Sequence, residues 1–196
     1  MQGIAGALAA LPALPAVPVR PTGTPRPRVM VIGGTGFIGR NLTRRLVERG
    51  HDVRVLSRGR GGPFPDLADR VETVGVSLRD EDALSGAMAG MDCVYNLAKS
   101  TDKSWAAALE NDVATTERIG RAALRAGVGR LVHTGTIASY DMSDPARPIT
   151  EATEFGQMES RNIYARSKAE GERRLIAMQA DGLSLVIARP GIVLGD

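Results

Sequence analysis

From Arg28 to the end of the chain, short apolar runs alternate with longer amphipathic stretches. Continuous runs rich in β-branched residues are typical of parallel strands that are buried on both faces. Each amphipathic stretch is followed by a glycine, which favours the left-handed conformation after a helix. The alternation predicts an α/β domain with a doubly wound parallel sheet. The predicted strands cover residues 29–32, 53–56, 71–76, 93–97, 131–134 and 183–188. The predicted helices cover about residues 37–49, 81–89, 103–126 and 160–180, and the glycines that follow them are Gly50, Gly90, Gly127 and Gly182.

Length and proline content predict one folded domain behind an N-terminal extension. A chain of 196 residues can form one domain with a substantial core but is short for two. Six of the 11 prolines fall between Pro12 and Pro27. We therefore predict a disordered Pro- and Ala-rich extension over residues 1–27, which an upstream start site would also explain, and a folded domain over residues 28–196. Because prolines interrupt the uncharged residues 1–19, no membrane segment is expected there.

Charge and cysteine content bear on partners and location. The 25 Lys and Arg residues exceed the 22 Asp and Glu residues, but Arg20, Arg26 and Arg28 lie at the start of the chain and the remainder is balanced. A basic face for nucleic acid is therefore not expected. Cys93 is the single cysteine and only two histidines occur. The sequence predicts no disulfide, no metal site and a reducing, cytoplasmic location.

A glycine-rich turn lies between the first predicted strand and the first predicted helix. Gly33 permits a tight exit from the strand, Gly36 lets a pyrophosphate approach the backbone, and Gly39 lets helix and strand pack closely. Amides at the start of the helix, including those of Phe37 and Ile38, would then bind phosphate. Since a strand precedes this turn and a helix and second strand follow it, the pattern favours a dinucleotide-binding Rossmann fold over an ordinary strand-to-helix turn. No Gly-Lys-Ser/Thr follows, which excludes a P-loop.

The residues after the second predicted strand indicate which dinucleotide is bound. An acidic residue there would accept hydrogen bonds from the adenosine ribose, but this chain has Ser57 and Arg58. A carboxylate would repel a 2′-phosphate, whereas Arg58 can pair with it and can stack on adenine. We therefore predict NADP as the cofactor and keep NAD as the alternative, in which Arg58 is a solvated loop cation.

Tyr164 and Lys168 are four residues apart in the last predicted helix, so both side chains lie on one face. A tyrosine alone is a poor base, and a nearby ammonium favours its phenolate form. Thr136 follows the fifth predicted strand, and the carboxyl ends of strands face the ligand crevice in a doubly wound sheet. The three residues are candidate catalytic groups; the alternative is a surface tyrosine over a solvated lysine.

Several ordered motifs between Arg28 and Asp196 resemble those of the extended short-chain dehydrogenase/reductases, a group of NAD(P)-dependent epimerases, dehydratases and reductases. The order and spacing of these motifs argue against a chance match. The matching segments are the glycines Gly33, Gly36 and Gly39; the fourth-strand segment Asn96, Leu97 and Ala98; the helix residue Asn111; Thr134, Gly135 and Thr136; the pair Tyr164 and Lys168; and Arg189 with Pro190.

The resemblance implies roles that spacing alone does not. Tyr164 would be the general acid/base, Lys168 would hold the nicotinamide ribose, and Thr136, which replaces the usual serine, would bond the reacting substrate oxygen. Pro190 would border the nicotinamide. Ser77 stands where the family commonly has an aspartate near adenine. The further residues expected at the cofactor are Ser77, Leu78, Leu97, Ala98, Asn111 and Thr134.

The leading hypothesis is a cofactor domain of an NAD(P)-dependent oxidoreductase or epimerase/dehydratase that transfers hydride to or from a hydroxyl or carbonyl carbon. The resemblance alone suggests a nucleotide sugar as substrate, with a small carbonyl compound as the alternative, and a homodimer as a further expectation. A non-catalytic redox sensor is the rival from another class. The resembled proteins continue past the motif of Arg189 and Pro190 into a substrate-binding region. A third hypothesis is therefore that this chain is a truncated fragment without activity.

Overall fold

The computed structural model describes residues 26–57 and 64–195. The predicted extension lies almost wholly outside them, and so does Arg58, the predicted NADP contact. The strands are β1 (Arg28–Ile32), β2 (Asp52–Ser57), β3 (Val71–Gly75), β4 (Cys93–Asn96), β5 (Arg130–Thr134) and β6 (Leu185–Ala188). The α-helices are α1 (Phe37–Glu48), α2 (Glu81–Met88), α3 (Trp105–Ala108), α4 (Ala114–Arg125) and α5 (Ile163–Ala177).

The six strands form one parallel sheet in the order β3-β2-β1-β4-β5-β6. The chain first builds outward from β1 to β3 and then crosses back to place β4 on the other side of β1. This reversal creates a crevice at the carboxyl ends of β1 and β4, where ligands bind in doubly wound sheets. The predicted fold class is therefore confirmed.

Both faces of the central strand β1 are packed, as the apolar runs predict, whereas the edge strands β3 and β6 are partly exposed. Alternate residues of β1 enter different layers: Met30 and Ile32 join a cluster with α2 and α4, whereas Val29 and Val31 pack with α1. All four side chains are at most 2% exposed. Each such side chain contributes about 1.5–3 kcal/mol on burial, so the two layers hold β1 and the glycine turn that follows it in a fixed place.

Two predicted helices differ from the structure in instructive ways. The helix expected over residues 103–126 is interrupted by a π-helical segment, Leu109–Val113, between α3 and α4. Such segments change which side chains face the neighbouring elements. The last helix begins at Ile163 rather than residue 160, because Asn162 caps it by accepting a hydrogen bond from the Ala165 amide at 2.9 Å.

The glycines predicted after the helices are confirmed. Gly50, Gly90, Gly127 and Gly182 have φ values of 80°, 71°, 66° and 96°. A residue with a β-carbon would be strained in this conformation. These glycines end the helices and return the chain to the sheet, so their spacing sets where each strand begins.

Candidate active site

The carboxyl ends of the strands and the first turn of α1 enclose a cleft of about 550 Å³. It contains most of the residues expected at the cofactor, and three further polar lining residues are Thr35, Ser57 and Lys99. The expected residues that line it are Gly33, Gly36, Phe37, Ile38, Gly39, Leu78, Leu97, Ala98, Thr134, Tyr164 and Lys168.

The glycine turn has the close backbone packing that its sequence predicts. Gly33 has a φ of +81°, and its carbonyl accepts a hydrogen bond from the Gly36 amide at 3.1 Å. A β-carbon at Gly39 would lie 2.2 Å from the Gly33 carbonyl oxygen, so only glycine fits. Gly36 caps α1 without a side-chain hydrogen bond, which leaves the first amides of the helix available to an anion. The turn can therefore hold a pyrophosphate at the cleft.

Lys168 is fixed at the carboxyl end of the sheet. Its side chain is buried, and its ammonium donates hydrogen bonds to the Thr134 carbonyl at 3.1 Å and the Ala98 carbonyl at 3.4 Å. Burial lowers the pKa of Lys168, an effect that the carboxylates of Asp112 and Glu172 oppose. The ammonium is thus held in place by backbone from two strand ends rather than solvated on the surface.

Tyr164 lies one turn before Lys168 and reaches into the same cleft. It is 39% exposed, which makes it one of the more accessible large side chains of the protein. The Lys99 ammonium lies 4.7 Å from the centre of its ring. The tyrosine therefore combines access to a ligand with one cation over its ring and with Lys168 one helical turn away, an arrangement suited to proton transfer.

Thr136 does not line the cleft itself but begins the short turn Ile137–Ser139 beside it. It is 7% exposed, and its hydroxyl accepts a hydrogen bond from the Ala138 amide at 3.3 Å. Pro190 lies next to this turn, because its carbonyl accepts a hydrogen bond from the Ile137 amide at 3.1 Å. The structure therefore brings Thr136 and Pro190 to the same turn, which begins two residues after Thr134 of the cleft lining.

Glu172, which the sequence analysis did not single out, fixes the turn that carries Thr136. Its buried carboxylate accepts hydrogen bonds from the Ser139 hydroxyl at 3.1 Å and the Arg189 guanidinium at 2.6 Å. The backbone amide of Thr136 also interacts with this carboxylate. Burial raises the pKa of Glu172, while Arg189 acts against that rise. The sequence feature that could have indicated Glu172 is its spacing of four residues from Lys168, which places both residues on the same face of the helix.

Asn111 lies outside the main cleft. Its side-chain carbonyl accepts a hydrogen bond from the Arg79 guanidinium at 2.8 Å, and its side-chain NH₂ donates one to the Asp102 carboxylate at 3.2 Å. Together with Ser77 it borders a second cavity of about 530 Å³. The adjacent Asp112 is buried, as is Val113 at the end of the π-helical segment. Its carboxylate accepts hydrogen bonds from the Ser100 amide at 3.0 Å and the Ser167 hydroxyl at 2.8 Å, which ties α5 to the loop after β4.

His133 and Asn96 form a buried polar pair between β4 and β5. Asn96 accepts a hydrogen bond from the Ala98 amide at 3.0 Å, so its NH₂ group faces the His133 Nδ1 at 3.1 Å. This nitrogen then accepts, and the ring carries its proton on Nε2. Burial, together with the charges of Lys168 and Arg189, lowers the pKa of His133 to about 3. The pair is thus a neutral support for the two strand ends that hold Lys168.

Within residues 26–57 and 64–195, no group of three or more His, Cys, Asp or Glu side chains could hold a metal ion. No helix of the described segments has the length and apolar character needed to cross a membrane.

Fold and cleft together define a Rossmann-type α/β domain whose glycine turn lies at the point where the strand order reverses. Residues 29–196 match the model of the NAD dependent epimerase/dehydratase family. The chain belongs to this family.

Relatives and solved structures agree with this assignment. The chain is 30% identical over 177 residues to 2-alkyl-3-oxoalkanoate reductase of Stenotrophomonas maltophilia, with 86% of this chain and 51% of that protein covered. It is 31% identical over 180 residues to 4-hydroxy-2-methyl-3-oxo-4-farnesyl-3,4-dihydroquinoline-1-oxide ketoreductase of Stigmatella aurantiaca, with 86% and 51% covered. The chain thus spans about half the length of these relatives.

Among solved structures, the chain resembles DesIV, a dTDP-glucose 4,6-dehydratase from Streptomyces venezuelae with NAD and TYD bound. The TM-score is 0.68 and the identity 30%, with 83% of this chain and 55% of that chain covered. It also resembles the crystal structure of gox2253, with a TM-score of 0.72, 26% identity, and coverages of 83% and 50%.

Proposed function

We propose that this chain binds a nicotinamide dinucleotide in the cleft and arranges hydride transfer to or from a carbonyl or hydroxyl carbon of a small substrate. The observation that carries the proposal is the fixed Lys168 ammonium, four residues after the accessible Tyr164 and in one cleft with the glycine turn. The bound cofactor supplies the hydride donor or acceptor, and the protein supplies binding, orientation and proton transfer.

Different residues of the cleft would bind different parts of the cofactor. The turn from Gly33 to Gly39 and the uncapped start of α1 suit the pyrophosphate. An ammonium has three donors, and Lys168 uses two of them on the Thr134 and Ala98 carbonyls. The third is available to a hydroxyl of the nicotinamide ribose, which is the role that the sequence resemblance implies.

Proton transfer at the substrate oxygen falls to Tyr164. Its hydroxyl is an accessible proton donor in the cleft, which Lys99 and Lys168 also line. Thr136, held by Glu172 through the turn that it begins, would hydrogen-bond the same substrate oxygen from the opposite side. The two groups would orient the carbonyl for attack.

For the cofactor we propose NADP, with NAD as the alternative, because Ser57 and Arg58 stand where an acidic residue would favour NAD. Arg58 lies outside the described residues, and the structure of DesIV contains NAD. The cytoplasmic location and the homodimer also stay predictions.

For the substrate we propose a small carbonyl compound in preference to a nucleotide sugar. The names of the two relatives given above are those of a 3-oxoalkanoate reductase and a ketoreductase, which supports the carbonyl class. The nucleotide sugar keeps support from DesIV, whose structure contains TYD. In either case the full set of substrate contacts is a proposal, since the chain spans about half of these proteins.

Two variants of the 196-residue chain test the proposal. Tyr164→Phe should keep NADPH affinity within about twofold and lose about 10²–10⁴ in the rate of NADPH oxidation by methyl benzoylacetate, because only the proton donor is removed. Lys168→Met should weaken NADPH binding about 10- to 100-fold, because one hydrogen bond from a charged donor is lost.

Lys103→Met is the matched control, since Lys103 is exposed and does not line the cleft. Fluorescence titration with NADPH gives the affinities, and thermal unfolding shows that each variant is folded. NADPH binding that does not depend on Lys168 would contradict the proposed site. Binding without turnover of either methyl benzoylacetate or dTDP-glucose by the unaltered chain would favour the redox sensor or an inactive fragment.

A further inference from the structure

Lys99 is a cation that lines the cleft without a carboxylate partner among residues 26–57 and 64–195. It follows β4 and is exposed, and its ammonium lies over the Tyr164 ring at 4.7 Å. Among residues 26–57 and 64–195, Lys99 forms no ion pair. An ammonium gains less from an exposed ring face than from a hydrogen bond to an anion.

The cleft as a whole is cationic. Lys99 and Lys168 line it, and no aspartate or glutamate does so among the described residues. The two lysines differ in their partners: Lys168 donates to two backbone carbonyls, whereas Lys99 lies over the tyrosine ring. Two like charges in one cleft repel each other, and Lys99 contributes to the lowering of the Lys168 pKa. A bound anion would relieve this repulsion.

The place of Lys99 separates it from the phosphate region. The glycine turn and the start of α1 offer backbone amides to the pyrophosphate. Lys99 instead lies on the ring of the residue to which we assign the proton of the reacting oxygen. An anion on Lys99 therefore lies close to the reacting carbon. The diphosphate of a nucleotide sugar is separated from the reacting carbon by the sugar ring and fits this position less well.

We infer that Lys99 binds a carboxylate of the substrate, and that the substrate is an oxo acid whose carboxylate lies a few bonds from the carbonyl reduced beside Tyr164. The inference rests on the proposed function, because it uses Tyr164 as the proton donor. It adds a substrate class and a residue that selects it: the acid should bind well and its neutral ester poorly.

Benzoylacetate and methyl benzoylacetate form a matched pair for the test, since the ester replaces the negative charge of the acid by one methyl group and leaves the rest of the molecule unchanged. Their affinities are measured calorimetrically on the 196-residue chain saturated with NADP⁺, which cannot reduce them. We expect the acid to bind about 10- to 100-fold more tightly than the ester, the difference that one charge-assisted hydrogen bond provides. This comparison needs no variant and so does not depend on the folding of one.

Variants then assign the difference to Lys99. Lys99→Met should reduce the affinity for benzoylacetate to that for the ester and leave the affinity for the ester unchanged. Lys99→Arg should retain most of the preference for the acid, because it keeps the cation. Lys103→Met, which removes an exposed lysine four residues further along, should change neither affinity.

The outcomes separate this inference from the proposed function. Equal affinities for acid and ester, or no binding of either while NADPH binds normally, would overturn the role of Lys99 and leave the cofactor site intact. A Lys99→Met chain that binds NADPH more weakly would assign the lysine to the cofactor and also overturn it. Failure of the unaltered chain to bind NADPH would defeat the proposed function itself, and this inference with it.

Discussion

Replacing Gly39 by alanine should break the cofactor site through a single methyl group. The new β-carbon would lie 2.2 Å from the Gly33 carbonyl oxygen and 2.6 Å from the Gly34 α-carbon, whereas atoms in ordinary contact are about 3.5–4.0 Å apart. Both neighbours are backbone atoms of the glycine turn and cannot rotate away. The start of α1 must therefore move from the turn by about an ångström or more, and the amides that would hold the pyrophosphate move with it.

The size of the effect follows from two opposing contributions. Overpacking of this kind costs about 1–3 kcal/mol, and alanine recovers about 0.5–1 kcal/mol because it loses less entropy in a helix than glycine. The net loss of about 1–2 kcal/mol should lower the melting temperature by roughly 2–8 °C for a chain of this length. Because the phosphate-binding amides are displaced as well, NADPH affinity should fall at least about 10-fold.

Gly86→Ala provides the matched control. Gly86 is also a helical glycine, in α2, but apart from its chain neighbours and its own helix backbone no described atom lies within 4 Å of the position of its β-carbon. This variant should keep its NADPH affinity and gain up to about 1 kcal/mol in stability. Thermal unfolding and fluorescence titration measure both quantities. If Gly39→Ala binds NADPH as tightly as the unaltered chain, the argument that close backbone packing shapes the phosphate site is refuted.

Three further predictions concern charge. Arg58→Ala should weaken NADPH about 10- to 100-fold in fluorescence titrations and leave NADH unchanged; equal affinities of the unaltered chain for both cofactors would contradict the preference for NADP. Glu172→Gln leaves Arg189 without its buried partner and should cost about 3 kcal/mol by denaturant unfolding, whereas the half-exposed Glu170→Gln should cost less than about 1 kcal/mol; similar losses would argue against a special role for Glu172. His133 has its pKa lowered from 6.5 to about 3, so between these pH values the unfolded chain binds a proton that the folded chain does not. The free energy of unfolding should therefore fall as the pH falls through this range, by up to about 1.4 kcal/mol per pH unit, and His133→Gln should remove that slope.

Periodicity and local chemistry were enough to predict the fold and half of the site. Apolar runs, helix spacing and terminal glycines are properties of neighbouring residues, so the six strands and the glycine turn can be recognised before any contact is known. The pairing of Tyr164 with Lys168 is equally local, because four residues make one turn of a helix. The boundaries were less accurate: the cap at Asn162 and the π-helical segment shifted or interrupted helices that the pattern shows as continuous.

The positions of the charged side chains in the site depend on the tertiary structure alone. Lys168 is held by carbonyls 34 and 70 residues away, and Lys99 reaches the Tyr164 ring from a different strand end. The π-helical segment turns Asn111 toward Arg79 and buries Asp112, a difference of one residue that helical spacing does not reveal. These contacts depend on which strand ends the parallel sheet brings together and on how each helix packs over them. The sequence therefore determined which chemical groups the site contains, and the packing of distant segments determined which are buried, which are paired, and which cation is left for a ligand.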